Sequence, residues 1–285
     1  VPVTLSPQMR NGKPELMIAA TNIGNKTLDT SIELTFPKSL NQYDIRTLTL
    51  NPQETIPYVL DIPGSVSDKA NAQSYIIDIE QTISGKTIRS EATLSWISIP
   101  FFPLFDWKNI PQEALLNEKI HFVPESQRLE TWTGPDDLSV RFKWAWNREA
   151  IGMNWEVRDN VHCNSMPPEN LWNNDSIQLW FDSVLYDLAL VNGKSVFYER
   201  RHKDAPLKYR LNLKVERVEQ EKITVYDLTI LPDGEKKFEA GETFQVGFAL
   251  NDNDGENVRK GWMYYLSKIG HPEVRTSSPR AFLTN

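Results

Sequence analysis

The sequence has almost no cysteine, no long apolar run and no excess of positive charge. Cys163 is the single cysteine among 285 residues, so the chain forms neither an internal disulfide nor a CxxC metal or redox motif. No apolar run approaches the roughly 20 residues that span a bilayer. The net charge is −7, whereas proteins that bind nucleic acid carry clustered Lys and Arg for the phosphates. We therefore expect a soluble globular chain with no membrane span and no nucleic-acid partner.

Sequence motifs of catalysis are missing as well. The chain contains no Gly-x-Ser-x-Gly turn, no glycine-rich phosphate loop and no metal-binding spacing among its histidines. Asp175 and Asp182 flank one predicted strand about 23 Å long, whereas a glycosidase needs two carboxylates about 5–9 Å apart. Asp136 and Asp137 are adjacent and would point apart on an extended chain. We expect a non-catalytic chain, which could be one part of a larger enzyme.

Length and pattern predict two all-β domains. A chain of 285 residues exceeds what a single hydrophobic core usually covers. Segments that alternate apolar and polar residues, punctuated by Asn, Gly and Pro, recur along the sequence and are typical of antiparallel β-sandwiches. The predicted strands lie at 15–20, 31–36, 58–62, 74–79, 87–96, 140–146, 177–181, 209–215, 223–231 and 244–250.

Prolines mark the boundary between the two predicted domains. Pro100 and Pro103 interrupt the strand pattern, as expected of a linker or of the start of a new domain. The aromatic residues between 101 and 107 are too apolar for a free tether, so this segment should pack against a domain. We predict one β-sandwich at 1–99 and a second at 100–285.

Three predicted strands combine an apolar face with a polar face. Ile177, Leu179 and Phe181 alternate on one side of their strand. The opposite faces of the three strands carry Trp172, Asn174, Ser176, Gln178 and Trp180; Arg210, Asn212 and Lys214; and Gln245, Gly247, Ala249 and Asn251. A sugar site needs flat aromatic rings that stack on the apolar face of a pyranose. It also needs amide and guanidinium groups that hydrogen-bond the hydroxyls of the sugar. An ordinary solvent-facing surface would give the same pattern.

The second predicted domain resembles a known family in eight short segments that occur in the same order. They are residues 105–107, 133–142, 144–146, 155–162, 171–182, 197–199, 209–212 and 246–255. On these segments the domain resembles the family 9 carbohydrate-binding modules of bacterial polysaccharide-active proteins. The first domain, through residues 21–25 and 50–55, resembles bacterial immunoglobulin-like domains, a likeness of fold rather than function.

The resemblance implies non-catalytic binding of a carbohydrate outside the cytoplasm, in a secreted, periplasmic or cell-surface protein. The first residues contain no signal-peptide pattern, so such a segment would lie outside this sequence. By the resemblance, Trp172 forms one wall of an aromatic clamp around a sugar. Gln178, Arg210 and Asn212 would bind its hydroxyls, with Asn251 as a further polar contact.

The chain departs from the family at the second wall of the clamp. A tryptophan is expected there, and the sequence has Val274. We expect an aromatic ring from the preceding strand, Trp262, Tyr264 or Tyr265, to take its place. The alternative is that the sugar site has degenerated and the chain is a structural or protein-interaction module. The two alternatives differ in whether Trp172 is exposed beside Arg210 or buried beneath a loop.

The resemblance also implies structural calcium, with Asp159 at a ligand position. Calcium prefers six to eight oxygen ligands. The loop that is acidic in the family is basic here, from Arg200 to Lys203. The run 251–255 is rich in Asn and Asp but lacks EF-hand spacing, and such runs are often turns. Calcium at Asp159 is therefore an expectation that the sequence supports only in part.

A haem-binding sandwich is a further alternative, because His162 could pair with Met153, Met166 or Met263 as axial ligands. Methionine in a β-protein more often fills the core, and a haem protein would absorb near 400 nm. Cys163 is expected to be a buried free thiol.

Overall fold

The computed structural model describes residues 1–10, 13–36, 43–61, 73–111, 113–124, 132–182, 184–200, 208–255, 259–265 and 280–284. Within these ranges the chain is built from antiparallel β-strands and short 3-10 helices. It divides into two compact units, Val1–Ser98 with Thr284, and Ile99–Leu283. The predicted all-β class, with two sandwich domains in tandem, is confirmed.

The first unit has two antiparallel sheets. Its strands are β1 (Val3–Arg10), β2 (Lys13–Thr21), β3 (Leu28–Thr35), β4 (Tyr43–Leu50), β5 (Thr55–Asp61), β6 (Gln73–Ile83) and β7 (Lys86–Pro100). One sheet has the order β1-β2-β5 and the other β4-β3-β6-β7. Leu16 and Ile18 of β2, together with Ile32 and Leu34 of β3, are fully buried, so both sheets contribute to one core.

Asn22 connects the loops at one end of the first unit. Its side chain is buried and donates to the carbonyl oxygens of Leu50 and Asn51, each at 3.0 Å. Its Oδ1 accepts the backbone N–H of Gly24 at 2.9 Å. The two Asn-containing segments of the sequence, which follow β2 and β4, are therefore joined by one buried amide whose hydrogen bonds are made.

The second unit is a larger two-sheet structure. Its strands are β8 (Ala114–Leu116), β9 (Phe122–Pro124), β10 (Leu138–Trp146), β11 (Ile151–Asp159), β12 (Ser176–Phe181), β13 (Val184–Val191), β14 (Lys194–Arg200), β15 (Tyr209–Val218), β16 (Ile223–Pro232), β17 (Thr243–Asp252), β18 (Gly261–Tyr265) and β19 (Arg280–Thr284). Short 3-10 helices occupy Lys119–His121 and Pro168–Asn173.

The strand pairings define two sheets in this unit. A five-stranded sheet has the order β15-β16-β11-β10-β8. A six-stranded sheet has the order β14-β13-β12-β17-β18-β9, and β19 pairs with the first residues of β17.

Aromatic side chains from both sheets fill the core of the second unit. Phe142 of β10 lies 5.1 Å from the ring of Trp155 and 4.9 Å from that of Phe248, measured between ring centroids. All three side chains are almost completely buried. Large rings that leave water contribute most of the hydrophobic stabilisation in such a core.

Sequence periodicity identified some strands and missed others. Each strand predicted between 140 and 250 lies within an observed strand. The central strand β11 was not predicted, although its apolar residues Ile151, Met153, Trp155 and Val157 alternate with Gly or polar residues. At Gly152 an added Cβ would lie 2.8 Å from the Phe105 ring and 2.9 Å from the Trp107 ring, so the aromatic segment packs directly on β11.

The aromatic segment 101–107 packs on the second unit. The Phe101 ring lies 5.1 Å from that of Trp146, and Trp107 Nε1 donates to Asp227 Oδ1 at 3.2 Å. The prediction that this segment is not a free tether is thus correct. In the described part of the chain, we find no helix with the length and apolarity to cross a membrane.

Two residue-level expectations can be checked against burial. Met153 and Met263 are fully buried in the core, which is the filler role that the sequence favoured over haem ligation. Cys163 is only half-buried, so the expectation of a buried thiol is wrong; the residue lies in a loop rather than on a strand.

Replacement of Phe142 by alanine should lower the free energy of unfolding by about 3–5 kcal/mol, because it opens a cavity between the two sheets. Chemical denaturation of the variant and of the parent would measure the difference. Phe197→Ala is the matched control, since this ring is 44% exposed and its loss should cost far less. Equal costs for the two variants would contradict the described core.

Candidate functional site

The outer face of the six-stranded sheet brings aromatic and polar side chains into two rows. Strand register places Tyr264, Ala249, Gln178, Asp187 and Tyr198 side by side on five neighbouring strands. The adjacent row contains Trp262, Asn251 and Ser176. We call these two rows, with Trp172 and Trp180 beside them, the platform.

A hydrogen-bonded trio forms the floor of the platform. Asp187 is fully buried and accepts from Gln178 Nε2 at 3.0 Å and from Arg200 Nε at 2.6 Å. Burial raises the pKa of Asp187, and the charge of Arg200 partly counteracts that rise. The Arg200 guanidinium also lies 5.2 Å from the centre of the Tyr198 ring. This trio fixes donors and acceptors in place before any ligand arrives.

Arg259 connects the two tryptophans of the platform. Its guanidinium carbon lies over the Trp262 ring, 4.0 Å from the centroid, and 5.3 Å from the centroid of Trp172. The same guanidinium donates to Asn251 Oδ1 at 2.7 Å, and Asn251 Nδ2 lies 3.0 Å from Ser176 Oγ. Cation–π contacts of this kind hold an aromatic ring in a fixed orientation.

Trp172 is positioned by the short helix Pro168–Asn173. Proline near the start of the helix sets its first turn, and the neighbouring Leu171 is fully buried as an anchor. The next residue, Asn173, accepts the Arg259 backbone N–H at 3.0 Å through its side chain. Its backbone carbonyl accepts from Asn253 Nδ2 at 2.7 Å. As a result, the Trp172 side chain is half-buried. It is neither covered by a loop nor fully exposed.

Five of the predicted sugar-site residues belong to the platform: Trp172, Gln178, Asn251, Trp262 and Tyr264. Gln178 and Asn251 are buried, while the three aromatic residues are half-buried. Buried amides thus form a floor between partly exposed rings.

The other two predicted residues, Arg210 and Asn212, lie on β15 of the five-stranded sheet. Arg210 is exposed, with Nε 3.9 Å from Asp233 Oδ1. The preceding Tyr209 bonds Asp182, at the end of β12 opposite to Trp172. The hairpin β13–β14, and not β15, lies beside β12. Val274 and the basic residues Arg201, His202 and Lys203 lie outside the described residues.

Sequence reasoning missed Asp187, Tyr198, Arg200 and Arg259. The hairpin that carries the first three has a recognisable signal at its turn, the dipeptide Asn192-Gly193, which favours a tight two-residue turn. Both residues have positive φ, 50° and 72°. No local signal marks Arg259, because its role depends on two rings that are distant from each other in the sequence.

An acidic cluster lies next to the platform. Asp137, Asp159, Asp175 and Asp252 are buried, and Asp254 is half-buried. Lys260 Nζ lies 2.5 Å from Asp137 Oδ1, 2.9 Å from Asp254 Oδ2 and 3.3 Å from Asp252 Oδ2. One ammonium group therefore faces several carboxylates, and the cluster retains negative charge.

The carboxylates of Asp159, Asp252 and Asp254 converge on one another. One oxygen from each lies within 4.8 Å of the others. Neither oxygen of Asp252 has a hydrogen-bond partner among the described residues, and Asp254 Oδ1 has none either. Three hard oxygen donors with unsatisfied buried atoms fit a calcium ion. The run 251–255 is therefore more than a simple turn, since it supplies two of these carboxylates.

Burial strongly affects the protonation of the cluster. Burial raises the pKa of Asp159 to about 7 and that of Asp252 to about 8, with Lys260 opposing the latter rise. The pKa of Asp175 is well above its usual range because of burial and the nearby Asp159. A bound cation would favour the charged forms of these groups.

Comparisons with known proteins give a distant likeness. No protein-family model and no curated protein matches the chain. Two solved structures of a family 9 carbohydrate-binding module from Caldicellulosiruptor kristjanssonii are similar to it, one in complex with cellotriose and one with glucose. Each is 17% identical over 67% of this chain, covering 94% and 96% of those chains, with TM-scores of 0.46 and 0.45. Such values do not decide what this chain binds.

In metal-free buffer the protein should lose stability as pH rises from about 5 to about 8. Asp252 has a folded pKa of about 8, above the roughly 3.9 of an unfolded aspartate. The folded state therefore binds the extra proton, and the stability this provides disappears as pH passes through the folded pKa. Asp137, Asp159, Asp254 and Lys260 face the same carboxylate.

Thermal unfolding in chelator across this pH range would measure the effect. Asp252→Asn should reduce the dependence, because it removes one titrating carboxyl, while Asp159 and Asp175, whose pKa values burial also raises, remain. Asp233→Asn, at an exposed position, should leave it unchanged. Equal slopes in the parent and in Asp252→Asn would show that this carboxyl does not control the transition.

Proposed function

We propose that the second unit binds carbohydrate without catalysis, on the platform of the six-stranded sheet. The observation that carries this proposal is the strand register, which places Trp262 and Tyr264 beside Asn251 and Gln178 on one face. A sugar ring has an apolar face of C–H groups and an equatorial rim of hydroxyls. Aromatic walls beside a floor of amides match both features.

Stacking would occur on Trp172 and Trp262. Both rings are half-buried and both contact Arg259, so their orientation is set before a ligand binds. A rigid aromatic surface loses little conformational entropy on binding, which makes preorganised rings efficient contacts. Tyr264 provides a third ring on the same face.

Hydroxyl groups would be bound by the floor of the platform. Gln178, Asp187 and Arg200 already form a connected network, which orients their remaining donors and acceptors. The indole N–H of Trp180 is buried and has no hydrogen-bond partner among the described residues, although unsatisfied donors are rare in folded proteins. A ligand hydroxyl or a water molecule would satisfy it. Affinity at a single site of this size should be modest.

The biological setting that we propose is an extracytoplasmic protein of a bacterium, either secreted, periplasmic or on the cell surface. The first unit would serve as an immunoglobulin-like spacer that places the platform at a distance from other domains of a larger polysaccharide-active protein. Its two-sheet core is compatible with such a role, in which function lies in attached sites rather than in the fold.

Replacement of Trp172 or Trp262 by alanine should weaken sugar binding by at least about tenfold, or about 1.4 kcal/mol, because each supplies a stacking surface. The parent would first be screened against mono- and oligosaccharides by glycan array, and hits measured by calorimetry with and without calcium. Arg210→Ala and Asn212→Ala are matched controls on the other sheet and should bind like the parent.

Circular dichroism of each variant would separate loss of the site from loss of the fold. Loss of binding in Arg210→Ala, with the tryptophan variants unaffected, would move the site to the five-stranded sheet. No binding across the panel would instead favour a structural or protein-interaction module.

We also propose that calcium occupies the cluster formed by Asp159, Asp252 and Asp254. The support is the buried carboxylate of Asp252, whose two oxygens lack hydrogen-bond partners among the described residues. Lys260 Nζ lies 3.3 Å from Asp252 Oδ2, but the same ammonium group also pairs with Asp137 and Asp254. Buried charges are unfavourable unless they are paired or bound to a metal, and one ammonium group cannot neutralise three carboxylates. Calcium would supply positive charge there and would tie the loop after β17 to the end of β11.

Calcium should raise the thermal midpoint of unfolding, and the rise should increase with calcium concentration because the ion binds the folded state. Asp252→Asn should reduce this response strongly, since it removes one carboxylate ligand. Asp233→Asn, which lies outside the cluster, should respond like the parent. A midpoint that chelator and calcium leave unchanged would contradict the calcium proposal without affecting the sugar proposal.

A further inference from the structure

A second group of metal-ligating atoms lies next to the proposed calcium cluster and includes a nitrogen. His162 Nδ1 is 3.6 Å from Asp175 Oδ2 and 3.9 Å from Asp159 Oδ2. One ligating atom from each of Asp159, His162 and Asp175 lies within 4.8 Å of the others. Zinc with bonds of about 2.0–2.2 Å gives ligand separations of about 3.3–3.6 Å in a tetrahedron. The separation between His162 Nδ1 and Asp175 Oδ2 already lies at the upper end of that range.

The imidazole of His162 is oriented from outside this group. Its Nε2 lies 3.3 Å from the carbonyl oxygen of Leu190. When Nε2–H donates to that carbonyl, the lone pair of Nδ1 points towards the carboxylates. Histidines that bind metals usually donate their other N–H to a carbonyl or carboxylate in this manner, so the contact with Leu190 is the arrangement that a metal ligand needs.

The cations near Asp159 are Arg217 and Lys260, and neither forms an ion pair with its carboxylate in the described part of the chain. Asp159 and Asp175 are both buried. Among the described residues only His162 lies within ion-pair distance of either carboxylate, and burial lowers the pKa of this histidine. The Lys260 ammonium group forms ion pairs with Asp137, Asp252 and Asp254 instead. Two carboxylate oxygens and one imidazole nitrogen therefore converge with no ion-paired Lys or Arg among the described residues.

Backbone N–H groups hold the Asp175 carboxylate in a fixed orientation. Its Oδ1 accepts the N–H of Asn253 at 2.7 Å, and its Oδ2 accepts the N–H of Cys163. Asp159 is held similarly, because its Oδ1 accepts the N–H of Val161 at 3.0 Å. Arg217 donates to the backbone carbonyl of Asp159 rather than to its carboxylate. Both side chains are thus fixed in direction, which reduces the entropic cost of binding an ion.

An ion can reach this group from solvent. An open groove of about 690 Å³ is lined by His162, Asn164, Leu190 and Arg217, among others. The side chain of His162 is 15% exposed and forms part of the groove wall. The groove lies at the turn between β13 and β14, and includes Asn192 and Gly193.

We propose that Asp159, His162 and Asp175 bind a first-row transition-metal ion of the zinc type. Imidazole nitrogen favours such ions, whereas calcium prefers a shell of oxygens alone. The chain would therefore hold two different cations side by side, with Asp159 shared between them. This inference does not depend on sugar binding, and the nitrogen ligand separates it from the calcium proposal.

Zinc binding to the full chain, stripped of metals and then supplied with excess calcium, tests the inference. Calorimetry should find one zinc site in the parent. His162→Gln should weaken zinc at least about tenfold, since loss of an outer-shell partner alone costs about 10–100-fold, but should keep the thermal response to calcium. His121→Gln, whose ring hydrogen-bonds Glu118 elsewhere in the unit, should bind zinc like the parent. Asp254→Asn should lower the calcium response and leave zinc bound.

X-ray absorption of the zinc-loaded parent gives a second measurement that requires no variant. The expected coordination shell contains one imidazole nitrogen together with oxygens. An all-oxygen shell, equal zinc affinity in the parent and in His162→Gln, or complete displacement of zinc by calcium would each overturn the inference. If His162→Gln fails to fold, the absorption spectrum decides.

Discussion

Buried negative charge is the constraint on which the second unit depends. Asp137, Asp159, Asp175 and Asp252 come from four separate segments of the chain, yet all are buried in one region, where the Lys260 ammonium group pairs with Asp137 and Asp252. Desolvated carboxylates repel one another and raise each other's pKa, as Asp175 illustrates. The unit can bring these segments together only because Lys260 and backbone N–H groups compensate part of the charge, and a bound cation would compensate more.

The loop that follows β17 connects the buried carboxylates to the platform. Asn253 bonds Asp175 and Asn173, so the position of the loop is tied to both the cluster and the short helix that carries Trp172. Arg259 and Lys260 are adjacent in sequence, and they face the tryptophans and the carboxylates respectively. Occupancy of the proposed cation sites and the geometry of the proposed sugar-binding platform should therefore be physically linked, because the same few residues of backbone hold both.

Much of the fold could be predicted from local pattern. The alternation of Ile177, Leu179 and Phe181 places these side chains in the core, where they are fully buried, and leaves Gln178 on the outer face. The same pattern on β15 led to Arg210 and Asn212, which lie on the opposite sheet. Side-chain alternation determines which face of a strand is polar. It does not determine which strand is its neighbour, since pairing is a matter of topology.

By itself the sequence determined the all-β class, the absence of a disulfide, and the placement of Trp172, Gln178, Trp180 and Asn251 on the faces opposite the apolar ones. These depend on residue identity and on a period of two, both of which are local. Only the tertiary structure decided that β13 rather than β15 lies beside β12, that Arg259 reaches both Trp172 and Trp262, and that His162 meets Asp159 and Asp175. Each of these contacts joins segments distant in the chain, so it forms only when the core brings the two sheets together.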